Sequence, residues 1–270
     1  MRIVTWNVNS VGARLPRLLE LLEKHAPDIV LLQETKCTDE QFPAAALAQA
    51  GYASAAHGLG RWAGVAILAP SSGPPIEDVA PGLDGVGGDA AGEARWMEAT
   101  VGGVRVASVY VVNGRAVDAP QFAEKLVFLE AMAARAAALR EGGPPLIVGG
   151  DMNVCPTDAD VYDPAALAGG THATPAERER LADVLRDGDL VDAYRRVHPE
   201  GEPDDTPGAP YTWWDYRQGH FHRGLGLRID LLMVAGALAG GLTACGIDRD
   251  MRKGTKPSDH APLLADIDLG

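Results

Sequence analysis

Short apolar runs separated by polar turns make up most of the chain, and the period of the hydrophobic pattern sorts them into strands and helices. Ile3 to Val8 alternates β-branched and aromatic residues with polar ones, which predicts a strand ending at Asn7-Val8-Asn9-Ser10. Leu15, Leu18, Leu19 and Leu22 recur at helical spacing, and Pro27 closes that helix. Asp28 to Gln33 (DIVLLQ) predicts a buried strand with Glu34-Thr35-Lys36 at its end, and Thr38 with Gln41 gives a capping box for a second helix. Gly64 to Leu68 predicts another strand, and Ser71 to Glu93, rich in Gly, Pro and Asp, a surface loop. Arg95 to Val101 and Val104 to Val111 form a predicted hairpin about Gly102-Gly103, running into Tyr110 and Asn113. A long helix is expected from Pro120 to Arg140, with Phe122, Leu126, Leu129 and Met132 on one side.

The chain is organised around Pro144 to Thr157 (PPLIVGGDMNVCPT). Leu146-Ile147-Val148 is long enough for a buried strand and too short for a helix. Asp151 and Asn153 then sit where that strand breaks into a loop, and side chains two apart on extended backbone point the same way. They read equally well as an Asx-type turn or as a carboxylate and a carboxamide sharing one opening. Beyond them, Thr174-Pro175-Ala176-Glu177 caps another helix, and Pro199 to Pro210 is a polar, proline-rich loop. Tyr211 to Tyr216 (YTWWDY) is strand-like and aromatic. Leu227 to Val234 (LRIDLLMV) predicts a buried strand interrupted by Asp230, and Ala261 to Leu269 another strand, entered through Pro257-Ser258-Asp259-His260.

With 270 residues, no repeat and no low-complexity linker, one domain over 1–270 is the simplest expectation. No apolar run approaches a membrane span, and a strand begins at Ile3, leaving no room for a signal peptide. Cys37, Cys155 and Cys245 form no C-x-x-C pair, which suits free thiols in a reducing cytoplasm. The net charge of −13 argues against a metal-free nucleic-acid-binding module, because phosphate binding draws on basic surface. It leaves open an acidic enzyme in which carboxylate-held cations reverse the local sign.

Polar groups recur where the apolar strands stop: Asn7, Glu34, Tyr110, Asn113, Asp151, Asn153, Asp230, Asp259 and His260. Singly, each has a structural explanation as a turn former, a solvated cap or half of a buried pair. Together they describe one site at the mouth of a layered sheet structure, and their types suit phosphodiester hydrolysis. Glu34 and Asp259 offer oxygen ligands to Mg²⁺. Asp151 can orient or deprotonate a water, and His260, oriented by Asp230, can donate to a phosphoryl oxygen. Asn7, Asn113, Asn153 and Tyr110 can supply neutral donors to developing charge. The sequence has no Walker glycine loop, H-E-x-x-H, zinc cysteine set or G-x-S-x-G, which removes the common NTPase, zinc protease and serine hydrolase readings.

Taken in order, Trp6-Asn7-Val8-Asn9, Gln33-Glu34-Thr35-Lys36, Gly149-Gly150-Asp151-Met152-Asn153, Arg228-Ile229-Asp230 and Ser258-Asp259-His260 resemble the exonuclease III class of the endonuclease/exonuclease/phosphatase superfamily, nearly end to end. Trp214-Asp215-Tyr216-Arg217 resembles its DNA-repair branch rather than the lipid and inositol phosphatases, so a non-DNA phosphodiesterase or phosphatase is the alternative. The resemblance implies an α/β four-layered sandwich, two packed mixed sheets flanked by helices. It also implies Mg²⁺-dependent incision 5′ to abasic sites with 3′→5′ exonuclease and 3′-phosphodiesterase activity, Mn²⁺ being able to substitute. The implied substrate is double-stranded DNA with abasic sites or blocked 3′ ends, acted on by a monomer. It makes Glu34 the main metal ligand with Asn7 and Asp259 nearby, and Asp151 the residue that prepares the attacking water. Asn153, Tyr110, Asn113 and His260 contact the phosphate, with Asp230 holding His260. Trp213, Leu227 and Ile229 align with the pocket for a flipped abasic sugar, with Arg228 and Arg95 as further substrate contacts. One departure is Val112, where the family usually has a proline that pre-sets the turn aiming Asn113. Arg61, Arg95, Arg115, Arg217, Arg223, Arg228, Lys253 and Lys256 are candidates for a local basic rim.

Overall fold

The central strands carry apolar residues on both faces, and the fold satisfies both: one face packs on a helix and the other on a second sheet. The computed structural model describes residues 1–201 and 210–270, so most of the expected loop Pro199 to Pro210 lies outside the described residues. In chain order the elements are β1 (Arg2–Asn7), α1 (Val11–His25), β2 (Ile29–Gln33), α2 (Ala44–Gln49), β3 (Tyr52–His57), β4 (Val65–Pro70), β5 (Ile76–Pro81), β6 (Trp96–Val101) and β7 (Val104–Tyr110). They continue with α3 (Pro120–Arg140), β8 (Leu146–Asp151), α4 (Pro164–Leu167), α5 (Pro175–Asp187), β9 (Leu190–Asp192), α6 (Ala193–Val197), α7 (His220–Arg223), β10 (Asp230–Ala235), β11 (Leu242–Ile247) and β12 (Leu263–Ile267).

The strands form two mixed six-stranded sheets, ordered β11-β12-β1-β2-β4-β3 and β5-β6-β7-β8-β10-β9. Each has one parallel pair near its centre, β1 with β2 and β7 with β8, and antiparallel neighbours on either side. The crossovers are α1 and α3, which cover the outer faces. The result is the expected four-layered sandwich.

Period-2 alternation sorts the side chains into layers. On β1 and β2, Ile3, Ile29 and Leu31 join Val106 and Ile147 of the other sheet in the central layer. Val4, Trp6, Val30 and Leu32 pack instead against Leu18, Leu21 and Leu22 of α1. On β8 and β10, Ile147, Leu232 and Val234 face the central layer, while Val148, Leu231 and Met233 meet Phe128, Leu129 and Met132 of α3. Each fully buried Leu or Ile here contributes roughly 1.5–3 kcal/mol relative to exposure.

Gly149 and Gly150 follow from how closely the layers approach. A Cβ at Gly149 would lie 2.6 Å from Leu31 Cδ1 of the opposite sheet, and one at Gly150 would lie 1.9 Å from the Val109 carbonyl oxygen. Beneath the sheet ends a polar layer joins the sheets: Thr5 Oγ1 donates to Gln33 Oε1 (3.3 Å), Gln33 Nε2 to Ser108 Oγ (3.0 Å), and Ser108 Oγ to the Leu32 carbonyl (2.8 Å).

Several elements differ from expectation. Ser71 to Glu93 is not all loop, since it holds β5, an edge strand of largely exposed residues whose bulged register hides its alternation. Tyr211 to Tyr216 makes no strand; Trp213 forms only isolated bridges to Leu227 and His260. The strand expected from Leu227 starts at Asp230, which therefore stands at a strand end rather than inside one. The Thr38–Gln41 capping box is present but caps only a single 3₁₀ turn. On α3 the buried stripe is Lys125, Phe128, Leu129 and Met132, with Phe122 and Leu126 only partly buried. The three cysteines are free thiols.

Candidate active site

The residues that alternation turns toward the central layer become polar at one end of the sandwich. In the second sheet, Asp151 closes β8 and is paired in register with Tyr110 at the end of β7 and with Asp230 at the start of β10. In the first sheet, Asn7 is paired with Gln33, and Glu34 follows as the chain leaves β2. The two rows meet across the sandwich: Asn7 Nδ2 donates to Glu34 Oε1 (2.8 Å) and to Asp151 Oδ2 (3.0 Å). Several non-glycine residues in the surrounding turns have left-handed backbone, among them Asn9 (φ 46°), Glu34 (φ 51°), Lys36 (φ 53°) and Asn153 (φ 50°). Such conformations cost about 1–3 kcal/mol each, and their clustering marks a site whose geometry the surrounding fold imposes.

His260 arrives from the segment before β12. Its Nδ1 lies 2.8 Å from Asp230 Oδ2 and its Nε2 lies 3.7 Å from Asp151 Oδ2. Burial opposes charging of the ring, but the Asp230 and Asp151 carboxylates outweigh it and raise His260 to about 10. Asp151 is fully enclosed. Burial pushes its carboxyl up to about 7, with the Asp230 and Glu34 charges adding to the effect and the His260 charge opposing it. At neutral pH the site thus holds a protonated imidazole aimed at a carboxyl balanced between its two forms. That combination donates a proton or hydrogen bond on one side and accepts a proton on the other.

Ligand oxygens of Glu34 and Asp151 and a ring nitrogen of His260 lie within 4.8 Å of one another. A protonated imidazole has no lone pair to offer, so the oxygen ligands are the two carboxylates, the hard donor set that Mg²⁺ and Mn²⁺ prefer. A cation already sits there in effect: the Lys36 ammonium lies 2.6 Å from Glu34 Oε2 and 2.5 Å from Asn9 Oδ1. The residues therefore fit a divalent ion. Asn7 presents its N–H₂ to the two carboxylates, while its Oδ1 accepts from the Asn9 backbone N–H (3.0 Å). Asp259 lines the same cavity, but its carboxylate accepts from Asn9 Nδ2 (2.9 Å) and Trp213 Nε1 (3.2 Å). Asp259 is not among the three converging groups, whereas the Asn7 amide touches two of them.

Asn113 and Asn153 are tied together. Asn113 Nδ2 donates to Asn153 Oδ1 (2.9 Å), and Asn153 Nδ2 donates to the Val111 carbonyl (2.9 Å). Each amide nitrogen keeps a second N–H for a phosphate oxygen. The support behind them was not anticipated. Lys125, fully buried on α3, donates to the Asn153 carbonyl (2.5 Å), reaches the Asn113 carbonyl (3.4 Å) and pairs with fully buried Glu177. Glu177 also accepts from the His172 N–H (2.9 Å) and Thr174 Oγ1 (2.8 Å), and the Lys125 charge outweighs burial to hold it at about 2. A buried pair so fully hydrogen-bonded is tolerated, and losing one partner would cost several kcal/mol. His172 was also missed. It lines the inner cavity, and its Nδ1 lies 2.6 Å from the Asn153 carbonyl. Burial and the Lys125 charge push the ring down to about 4, so Nδ1 carries the proton and Nε2 keeps a lone pair.

Of the expected sugar wall, Trp213 and Ile229 line the cavity of about 170 Å³, while Leu227 is buried behind them with Cys155 and Val161. Arg228 corrects the expectation of a substrate contact and a rim charge. It lies just before β10, fully buried and bonded to Asp160 (2.7 Å) and Asp192 (2.7 Å). Arg95 lies 4.5 Å from the Tyr110 ring centroid, with Nε 2.5 Å from Glu93. Val112, in place of the turn proline, is buried against the α3 layer, so packing holds that turn.

Three comparisons extend this geometry. The sequence matches the Endonuclease/Exonuclease/phosphatase family over residues 4–260. It is 29% identical over 273 residues to exodeoxyribonuclease III of Haemophilus influenzae, covering 99% of this chain and 100% of that one. Two solved structures superpose over the full length of both chains: the 3′ phosphatase NExo from Neisseria bound to a product DNA hairpin (TM-score 0.92, 39% identity), and an AP endonuclease from Archaeoglobus fulgidus (TM-score 0.89, 33% identity).

Proposed function

The chain belongs to the Endonuclease/Exonuclease/phosphatase family, and from that premise we propose that it is a Mg²⁺-dependent DNA-repair nuclease. It incises 5′ to abasic sites, degrades strands 3′→5′ and trims blocked 3′ ends. The observation that carries this reading is the pairing of Asp151, raised to about 7, with a His260 raised to about 10 at 3.7 Å, beside Glu34. Named relatives act as exodeoxyribonuclease, 3′ phosphatase and AP endonuclease, which supports DNA as the substrate.

In this reading Glu34 holds the divalent ion with Asp151 close by, and Asn7 and Asp259 fix the surrounding carboxylates and amides. When bound, the ion supplies Lewis-acid stabilisation of phosphoryl charge. Asp151 takes the proton of the attacking water. Asn153, Asn113, Tyr110 and His260 donate to the phosphoryl oxygens, and Asp230 keeps His260 charged and oriented. One chain supplies every one of these groups, which supports a monomer acting as a single domain. No helix among the described residues is long and apolar enough to cross a membrane. The test is a gel assay with Mg²⁺ on three DNAs: one with an abasic site, one intact duplex and one with a 3′-phosphoglycolate end. Cleavage of none of them, with turnover of small phosphate esters, would sink the DNA reading.

Trp213 and Ile229 form the wall that admits a sugar without its base, since an abasic nucleotide leaves the stack at least cost. An aromatic contact of this kind is worth ~1–3 kcal/mol. Trp213→Ala should therefore slow abasic incision by roughly ten- to a hundredfold. It should do so far more than it slows hydrolysis of a small activated phosphodiester. Equal losses on both substrates with a lowered melting point would make Trp213 a core residue only.

Binding should depend only weakly on salt. The net charge is −13, Arg228 is interior, and Arg95, Arg217 and Lys253 are paired with Glu93, Asp215 and Asp250. With few phosphates neutralised, the log–log slope of affinity against salt should be about −2 to −4, at roughly −0.9 per phosphate. Fluorescence anisotropy on a labelled duplex measures it, and a much steeper slope would contradict the charge argument.

A further inference from the structure

Beside the inner cavity runs a groove of about 480 Å³ that shares Glu34, Tyr110 and Asn113 with it and whose outer part the reaction chemistry does not use. Its rim carries Trp62, with 64% of its surface exposed, whereas Trp6, Trp96 and Trp214 are fully buried. An exposed tryptophan is costly unless something covers it, and here the backbone presents it deliberately. Ala63 next to it is buried with left-handed backbone (φ 51°), and its carbonyl accepts the Lys36 N–H (3.0 Å). Gly64 (φ +95°) follows, where a Cβ would lie 2.1 Å from Thr35 Oγ1. The turn that carries Trp62 is thus pinned to the residues following Glu34, which holds the backbone of the indole beside the centre. Arg61 stands with its guanidinium 5.1 Å from the ring centroid.

The groove's charge says which part of a ligand it takes. Glu34, Asp89, Glu93 and Glu124 line it together with Lys36, Arg95 and Arg115, so its charge is mixed and it is not a basic track for phosphates. Carboxylates instead accept hydrogen bonds from exocyclic amino and ring N–H groups, and an indole face stacks on any base. Resting on the nuclease reading above, we infer that this groove is a nucleobase subsite. In it Trp62 stacks on an unpaired base flanking the scissile phosphate, so that stacking supplies the grip that an acidic protein lacks in charge.

The test uses the whole enzyme and variants W62A and W62F. With a 3′-overhang oligonucleotide, W62A should raise KM about tenfold or more with kcat reduced less than threefold, and an abasic duplex, whose flanking bases are paired, should be affected less. W62F, which keeps an aromatic face, should stay within about threefold of wild type. In EDTA, titration with oligothymidylate should quench the wild-type tryptophan emission, and W62F should lose most of that quenching. A W62A enzyme with wild-type KM, quenching unchanged in W62F, or a loss confined to kcat overturns the subsite and leaves the nuclease reading standing. A wild-type protein that cleaves no DNA overturns both.

Discussion

Asp151→Asn should lower DNA cleavage by about 10²- to 10⁴-fold, the usual worth of a positioned general base. The change keeps the shape of the side chain and removes its proton-accepting form. In the wild type, burial and the neighbouring Asp230 and Glu34 charges hold Asp151 near 7, above its ordinary 3.8. Activity should therefore rise with pH as this carboxyl loses its proton, with a midpoint no higher than about 7, because a bound divalent cation can only favour the ionised form. His260, raised to about 10 by Asp230 and Asp151, stays protonated across that range, and activity should fall only as the pH approaches its value. The kcat/KM profile of the wild type should be bell-shaped with a broad top. The residual activity of Asp151→Asn should lose the acidic limb. Circular dichroism on the same samples separates chemistry from unfolding. An acidic limb that persists unchanged in the variant would assign the proton acceptor to another group.

The second large effect is expected at Glu34. It stands at the exit of β2 in left-handed backbone (φ 51°), with one oxygen bonded to Asn7 and the other to Lys36. Glu34→Ala should reduce cleavage by about 10²-fold or more at limiting Mg²⁺, recover in part at high Mg²⁺, and weaken Mn²⁺ binding measured by electron paramagnetic resonance. EDTA should abolish wild-type activity. Glu34→Gln keeps the acceptor for Asn7 and loses the charge, so it should bind metal poorly while melting like the wild type. Wild-type activity of Glu34→Ala at limiting Mg²⁺, with Mn²⁺ binding intact, would move the ion elsewhere.

Most of this site was legible because strands alternate with a fixed period. Asn7, Asp151 and Asp230 each continue a series of inward-facing apolar residues, so a polar residue at the end of such a series must open onto the same space. The partnership of Asp230 with His260 followed from the cost of burying an unpaired carboxylate. Arg228 misled because its neighbours Ile229 and Asp230 are site residues, whereas it precedes β10 and its guanidinium is held by Asp160 and Asp192. Lys125 carried a signal that went unread, since it precedes Phe128, Leu129 and Met132 at helical spacing and so occupies the apolar stripe of α3. A lysine there needs a buried partner, and Glu177 at the third position of α5 is that partner. His172 gave no such signal, because irregular backbone between α4 and α5 places it. The edge strand β5 was hidden because a solvated, bulged edge need not alternate.

The place of β1 has a consequence for how the enzyme comes into being. β1 lies inside its sheet, between β2 and β12, and pairs Arg2 with Asp266 and Thr5 with Leu263. β1 therefore waits for β12 before its second edge is closed, roughly 10–50 s at ordinary elongation rates. Ser258, which donates to the Asn7 carbonyl (2.7 Å), and His260, which completes the pair with Asp151, emerge with that same late segment. A nascent chain thus presents Glu34 and Asp151 well before Ser258 and His260, and the cluster of Glu34, Asp151 and His260 is assembled only as β12 docks.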